Sequence, residues 1–221
     1  MKRAAFFIIF VFCFSSIAGA ATGTATPTLY QVTFNKVELH NKDTNTWVTI
    51  GEGDMSFDIA SKNAGQAVGN YFSNTNLPIG TYDKVRTTIA RNMQLTGTGI
   101  IGVTTYYTTA NQVANFGAGT PLGKAISTST VSGAAVEGTF QVPGDLPPSP
   151  PAGYTRVSID DNYFVDEIAS PTFVEFSVAT NDSKIMTLNF DVAGKLTFDT
   201  NCPGGVNCAY CNPPVVSATI Q

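Results

Sequence analysis

Apolar residues in this chain return at every second position, and that spacing decides the fold class. Tyr30, Val32 and Phe34 share one side of an extended backbone, whereas a helix would scatter them around its circumference. Val37 and Leu39 continue on the opposite parity. A one-residue β-bulge near Asn35-Lys36 puts both halves on one buried face. The same alternation recurs at Val85, Thr87 and Ile89, and over 47–50, 155–159, 173–178, 185–192, 195–198 and 215–220, each run punctuated by Gly, Asn or Pro. Only 59–71 leaves room for a short helix, which Gly65 and Gly69 weaken. The expected class is all-β.

Turn chemistry and composition divide the chain. Asn41-Lys42-Asp43-Thr44-Asn45 reads as a hairpin loop. Residues 97–153 are rich in Gly, Thr, Ser and Ala. They are expected to form an irregular, peripheral insertion that ends in a connector, because five prolines fall within 143–153 and Pro cannot donate to a β-ladder. Two segments echo each other: Pro78-Ile79-Gly80-Thr81-Tyr82 and Pro151-Ala152-Gly153-Tyr154. In each, Pro presets one turn dihedral and Gly admits the next, and the Tyr can rest its ring on the core edge while its hydroxyl reaches a backbone group.

The N-terminus carries an address. Lys2 and Arg3 precede an apolar run over residues 4–14, then Ser15-Ser16 and the small-residue site Ala18-Gly19-Ala20. That is the layout of a signal peptide over residues 1–20, cut before Ala21. The run is about half the ~20 residues that span a bilayer, so no integral membrane segment is expected after cleavage. Cys13 lies inside the run, not after a cleavage box, so a lipid anchor is not indicated. The expected location is the periplasm, the cell surface or the extracellular space.

Losing Lys2 and Arg3 makes an acidic chain more so. No basic cluster remains to hold a phosphate backbone, so nucleic acid is excluded as an expected partner. Charged residues are 13% of the chain, about half the usual globular share. Thr, Ser, Asn and Gly must therefore carry the polar surface.

The motif Val32-Thr33-Phe34-Asn35-Lys36-Val37-Glu38-Leu39, the strand at Trp47, the step Asp58-Ile59 and the turn and strand over 77–85 resemble a bacterial family of exported surface domains of unknown function. The segment Lys184-Ile185-Met186-Thr187-Leu188-Asn189-Phe190-Asp191-Val192 is similar to that family's closing strand, with Asn189 where the family often has Asp. The resemblance covers 30–90 and 174–198. It implies an immunoglobulin-like or transthyretin-like β-sandwich and supplies no catalytic residues.

Candidate chemistry is sparse. Cys202, Cys208 and Cys211 cluster near the C-terminus, where an oxidising compartment favours a disulfide. Cys202 can pair with Cys208 or with Cys211, and the odd cysteine stays free or bonds another chain. A zinc reading of Cys208-x-x-Cys211 lacks a second pair. Asn41-x-Asp43-x-Asn45 echoes a calcium loop, but Thr46 replaces the glycine that loop needs. Asp160, Asp161 and Asp166 form the densest acidic group and are the candidate Ca²⁺ ligands, or the site of a metal-dependent hydrolase. No other cofactor is expected. Tyr106, Tyr107 and Tyr163 are the candidate ligand-stacking aromatics, with Tyr106 and Tyr107 on opposite faces of one strand. Trp47 is expected in the core and His40 in an exposed loop. No nucleophile elbow, phosphate loop, zinc-protease motif or dinucleotide fingerprint occurs.

Three parts are therefore expected: the signal peptide, a β-sandwich domain over 21–201 containing the 97–153 insertion, and a cysteine loop with a terminal strand over 202–221. The expected function is non-enzymatic, a structural or adhesive surface module. Its candidate partner is a second copy or a surface polymer; the terminal strand 215–220 can complete its own sheet, the favoured outcome, or add to a neighbour's exposed edge. The alternative is a carbohydrate- or ligand-binding module.

Overall fold

The computed structural model describes residues 21–61, 77–117, 119–145, 152–180 and 186–220. The expected signal peptide, most of the ambiguous 59–71 stretch and the proline run 146–151 lie outside them. Among the described residues the chain forms strands and no helix. In order these are β1 (Thr22–Ala25), β2 (Leu29–Asn41), β3 (Thr46–Asp58), β4 (Gly80–Ala90), β5 (Asn92–Thr96), β6 (Thr98–Ile101), β7 (Thr104–Phe116) and β8 (Gly123–Ser129). There follow β9 (Gly138–Gln141), β10 (Tyr154–Ile159), β11 (Tyr163–Ile168), β12 (Phe176–Val178), β13 (Met186–Asp191), β14 (Leu196–Cys202), β15 (Val206–Cys211) and β16 (Val215–Ile220). No helix of the described residues is long and apolar enough to cross a membrane.

The strands make one open antiparallel sheet in the order β1-β14-β15-β8-β9-β5-β2-β4-β11-β10. β3 adds to β2, β12 to β4 and the β6–β7 hairpin to β8, while β13 and β16 pair as a separate ribbon. The link between the two arms is narrow, a single pairing of Lys124 in β8 with Gln141 in β9. One hydrophobic cluster nevertheless unites Leu196 and Phe198 of β14 with Val85 of β4 and Phe164 of β11. The sheet therefore curls so that distant strands share a core.

β2 is the central element. Its register shifts between Phe34 and Lys36 against both β3 and β4, which is the bulge the parity change requires. Tyr30, Val32, Phe34, Val37 and Leu39 are all buried as a result. The 41–45 hairpin is also present. Asn41 Oδ1 accepts the N–H groups of Asp43 and Thr44 at 3.1 and 3.2 Å, and Asp43 Oδ2 accepts the Thr81 N–H at 2.9 Å. These oxygens brace the turn.

Three expectations are corrected. The 97–153 stretch does form hairpins, β6–β7 and the register-shifted β7–β8, but it is not merely peripheral: Tyr106, Thr108, Ala125 and Ile126 are buried. Its small residues are packing positions. Gly99 lies so close to the ring of Phe198 that a Cβ there would overlap it. Trp47 is half-buried and outside the core cluster, with the Arg86 guanidinium 3.8 Å from its ring centroid and His40 at 5.0 Å. His40 is not an exposed loop residue. It sits in β2, 9% exposed, with Nδ1 2.7 Å from Asp83 Oδ1 and Nε2 3.1 Å from Asn45 Oδ1. Both residues belong to the outward face of the sheet, where polar neighbours across strands cover them.

Candidate functional site

The paired Pro-x-Gly-Tyr turns diverge in use. Tyr82 is fully buried and its hydroxyl donates to the Pro78 carbonyl at 2.8 Å, a backbone brace for the turn. Tyr154 instead donates to a side chain, Asp166 Oδ2. Gly153 makes this possible: its φ of 78° and the carbonyls of Ala169 and Ser170 beside it leave no place for a Cβ. The chain enters β10 there with Tyr154 and Arg156 on one side. β10 then bulges at Val157, since Arg156 pairs with Asp166 and Ser158 with Val165, and Val157 is left exposed.

Arg156 and Asp166 thus face each other on the inner side of the sheet. Nε donates to Oδ1 at 2.6 Å, Nη2 to Oδ2 at 3.5 Å, and Nη1 to the Pro143 carbonyl at 3.3 Å. The guanidinium carbon also lies 4.6 Å from the Phe164 ring centroid. Asp166 is 1% exposed. Burial raises its pKa above the usual carboxylate value, against the opposing pull of Arg156 and Tyr154. Burial, with the charge of Asp166, likewise pushes the Tyr154 phenol well up.

Arg156 and Tyr154 border a cavity of about 480 Å³ within the curl of the sheet. Its walls are mainly apolar, with Val85 and Phe164 on one side and Met93 and Phe140 on another. The lining also includes Tyr30, whose hydroxyl donates to the Asn212 carbonyl at 3.4 Å, and Cys211, whose Sγ is 3.8 Å from Met93 Sδ. Burial pushes the Cys211 thiol up to about 12, only partly offset by its hydrogen bond with Tyr30. The rim includes Gly117 and Asp145, both exposed, so the cavity reaches the surface there.

The cysteines separate into two roles. Cys202 and Cys208 form a disulfide across the β14–β15 turn, with Cα atoms 6.0 Å apart and both residues buried. Cys211 is free and half-buried. Residues three apart on a strand project to opposite sides, which is why Cys208 and Cys211 do not act as a pair. A cavity-lining thiol held protonated is poorly placed to bond another chain.

The remaining candidates do not assemble. Tyr106 is buried in the core and Tyr107 is half-buried beside it on β7. Tyr163 lies on β11, with its hydroxyl 3.2 Å from Asp54 Oδ2. Asp160 Oδ1 accepts the N–H groups of Asn162 and Tyr163, both at 2.7 Å, and these bonds lower its pKa. Asp161 is exposed, while Asp166 points inward to Arg156. Among the described residues no group of three His, Cys, Asp or Glu side chains could hold a metal ion.

What organises the 160–162 loop is Arg91, which the sequence patterns did not single out. It is 2% exposed and donates to four carbonyls: Val142 at 2.9 Å, Leu122 at 2.8 Å, Asp160 at 3.2 Å and Asp161 at 3.4 Å. Arg156 and Asp166 did leave a trace. Asp166 shares its parity with Phe164 and Ile168, and Arg156 shares its own with Tyr154, so each is a charge on an otherwise buried face.

Over residues 29–202 the chain matches the family described as Domain of unknown function (DUF4382), and it belongs to that family. The matched span runs through 97–153, so the middle stretch is part of the family domain. No curated protein and no solved structure matches the chain.

Proposed function

We propose that this member of a family of unknown function is an exported, non-catalytic β-sandwich that binds an apolar small molecule in its interior. The observation that carries the reading is the cavity of about 480 Å³ with apolar walls and few polar groups. Ligand sites commonly measure roughly 300–1,000 Å³ and have this make-up.

Several features support the finer parts of the reading. A core shared by strands from both ends of the sheet order, and the Tyr82 hydroxyl bonded back to Pro78, suit an immunoglobulin-like sandwich. Ala21, the first residue after the expected cleavage site, already bonds Thr200 through both its N–H and its carbonyl, each at 3.2 Å, which suits removal of the preceding segment. A thiol and a phenol both held protonated provide no activated nucleophile.

The test is titration of the secreted protein with diphenylhexatriene, an uncharged apolar dye that fluoresces when shielded from water. Saturable binding is expected, weakened about tenfold or more by Cys211→Phe or Val142→Phe, each of which adds a ring to the cavity. Absence of saturable binding by the folded wild type would sink the proposal.

A structural or adhesive role through self-association is the second reading, favoured by the β13–β16 ribbon. Among the described residues no third strand pairs with it, and its outer edges are templates for another chain. Within one chain β16 is already paired, so donation would exchange an existing contact. If a deletion of 213–221 stayed folded and sedimented like the intact protein, strand donation would be ruled out.

A further inference from the structure

The polar edge of the cavity is more specific than its apolar walls. An arginine has five N–H donors. Those of Arg156 that are engaged go to Asp166 from Nε and Nη2 and to Pro143 from Nη1, and a further one reaches the Tyr154 hydroxyl, which leaves one N–H without a partner among the described residues. It lies on a side chain that borders the cavity, with the guanidinium carbon 4.6 Å from the Phe164 ring centroid and next to apolar wall. A bound molecule that placed an acceptor there would complete a donor set that water must otherwise satisfy.

The charge balance decides which acceptor. Arg156 is the single cation among the described residues that line the cavity, and its charge is already matched by Asp166 behind it. An anionic head would meet a cation that is already neutralised, and it would lose its hydration to apolar walls. A cationic head could not accept from a guanidinium at all. A neutral carbonyl oxygen can accept the remaining N–H and has little hydration to lose.

Resting on the cavity reading above, we infer that the ligand is an uncharged apolar molecule bearing one carbonyl-type acceptor, held with that oxygen at Arg156 and its hydrocarbon toward Met93 and Cys211. Arg156 is then the specificity-determining residue. Asp166 and Tyr154 position it, because the two-point contact with Asp166 fixes the plane of the guanidinium.

The experiment is displacement of diphenylhexatriene from the full secreted chain at neutral pH by three matched compounds: nonane, 2-nonanone and nonanoate. The ketone is expected to bind about tenfold tighter than the alkane, the value of a hydrogen bond to a charged donor. The carboxylate is expected to bind about tenfold weaker than the ketone or worse. Equal affinity of alkane and ketone would overturn the role of Arg156 while leaving the cavity reading intact. Nonanoate as tight as the ketone would overturn the neutral head group. Failure to bind the dye at all would overturn both readings. A double variant, Arg156→Met with Asp166→Leu, removes the buried pair together and so leaves no orphaned charge. With each compound read against the variant's own dye affinity, the ketone preference over the alkane should fall to within about twofold. A preference that survived the double variant would overturn the assignment. Should that variant not fold, the wild-type panel decides alone.

Discussion

Cys211 shows how much one side chain's surroundings change its chemistry. In an exported protein an odd cysteine invites oxidation or inter-chain bonding. Here it lines an apolar cavity beside Tyr30 and Met93, and burial raises its pKa from 9.0 to about 12. Thiolate is the reactive form, so the residue is suppressed. Iodoacetamide at about pH 8 should label Cys211 slowly in the folded protein and promptly in urea; equal rates would contradict a thiol held protonated in the cavity wall. The same shift has a pH consequence. The folded pKa lies above the unfolded one, so the stability it contributes is complete below pH 9.0 and is lost as pH rises toward about 12. A Cys211→Ala variant should therefore lose less of its urea midpoint than the wild type over that interval.

At the scale of elements, two bulges and two close contacts set the geometry. The bulge in β2 keeps its apolar residues on one face, and the bulge in β10 aims Arg156 inward and Val157 outward. The parity break in β2 is readable from Phe34 and Val37, whereas nothing local marks the one at Val157. The β14–β15 turn is closed by Cys202–Cys208, a short loop whose cross-link contributes about 2 kcal/mol on the chain-entropy account. Replacing both cysteines by Ser should lower stability by about that amount without altering dye binding, since Cys202 and Cys208 do not line the cavity. Gly99 faces Phe198 with no room for a side chain. Gly99→Val should destabilise by about 1–3 kcal/mol through overpacking, seen as a lower urea midpoint. Its sequence context, Gly and Thr interrupting Ile100, Ile101 and Val103, suggested a loose periphery. Gly99 is there because the strands approach closely, not because they pack poorly.

For the molecule as a whole, the curled sheet matters more than any strand. Arg91 ties the end of β4 to the entry of β8, the exit of β9 and the β10–β11 turn, which holds the curl at one corner. The cavity lies inside that curl, so occupancy and folding are linked. A ligand present at about 100 times its Kd adds about 2.7 kcal/mol. For a domain of this size that is a rise in Tm of about 5–10 °C. A concentration-dependent shift of that order with 2-nonanone, and little with nonanoate, is expected by scanning calorimetry. A Tm independent of ketone concentration would argue against a native-state site.

Period-two alternation, turn residues and the parity break at Asn35 determined from sequence alone that this is an all-β protein, where most strands run and which face of β2 is buried. Those properties depend on neighbours along the chain, where side-chain direction repeats every two residues. Membership of a family of unknown function was also legible, from motifs spread over the same strands. The choice of Cys208 over Cys211 as partner, the outward position of Trp47, the burial of His40 and the four-carbonyl role of Arg91 were decided only by tertiary structure. So was the cavity with Arg156 at its edge. Each depends on which distant strands the curl of the sheet brings together. That curl is a sum of twist and packing over many strands, with no local pattern in the sequence to record it.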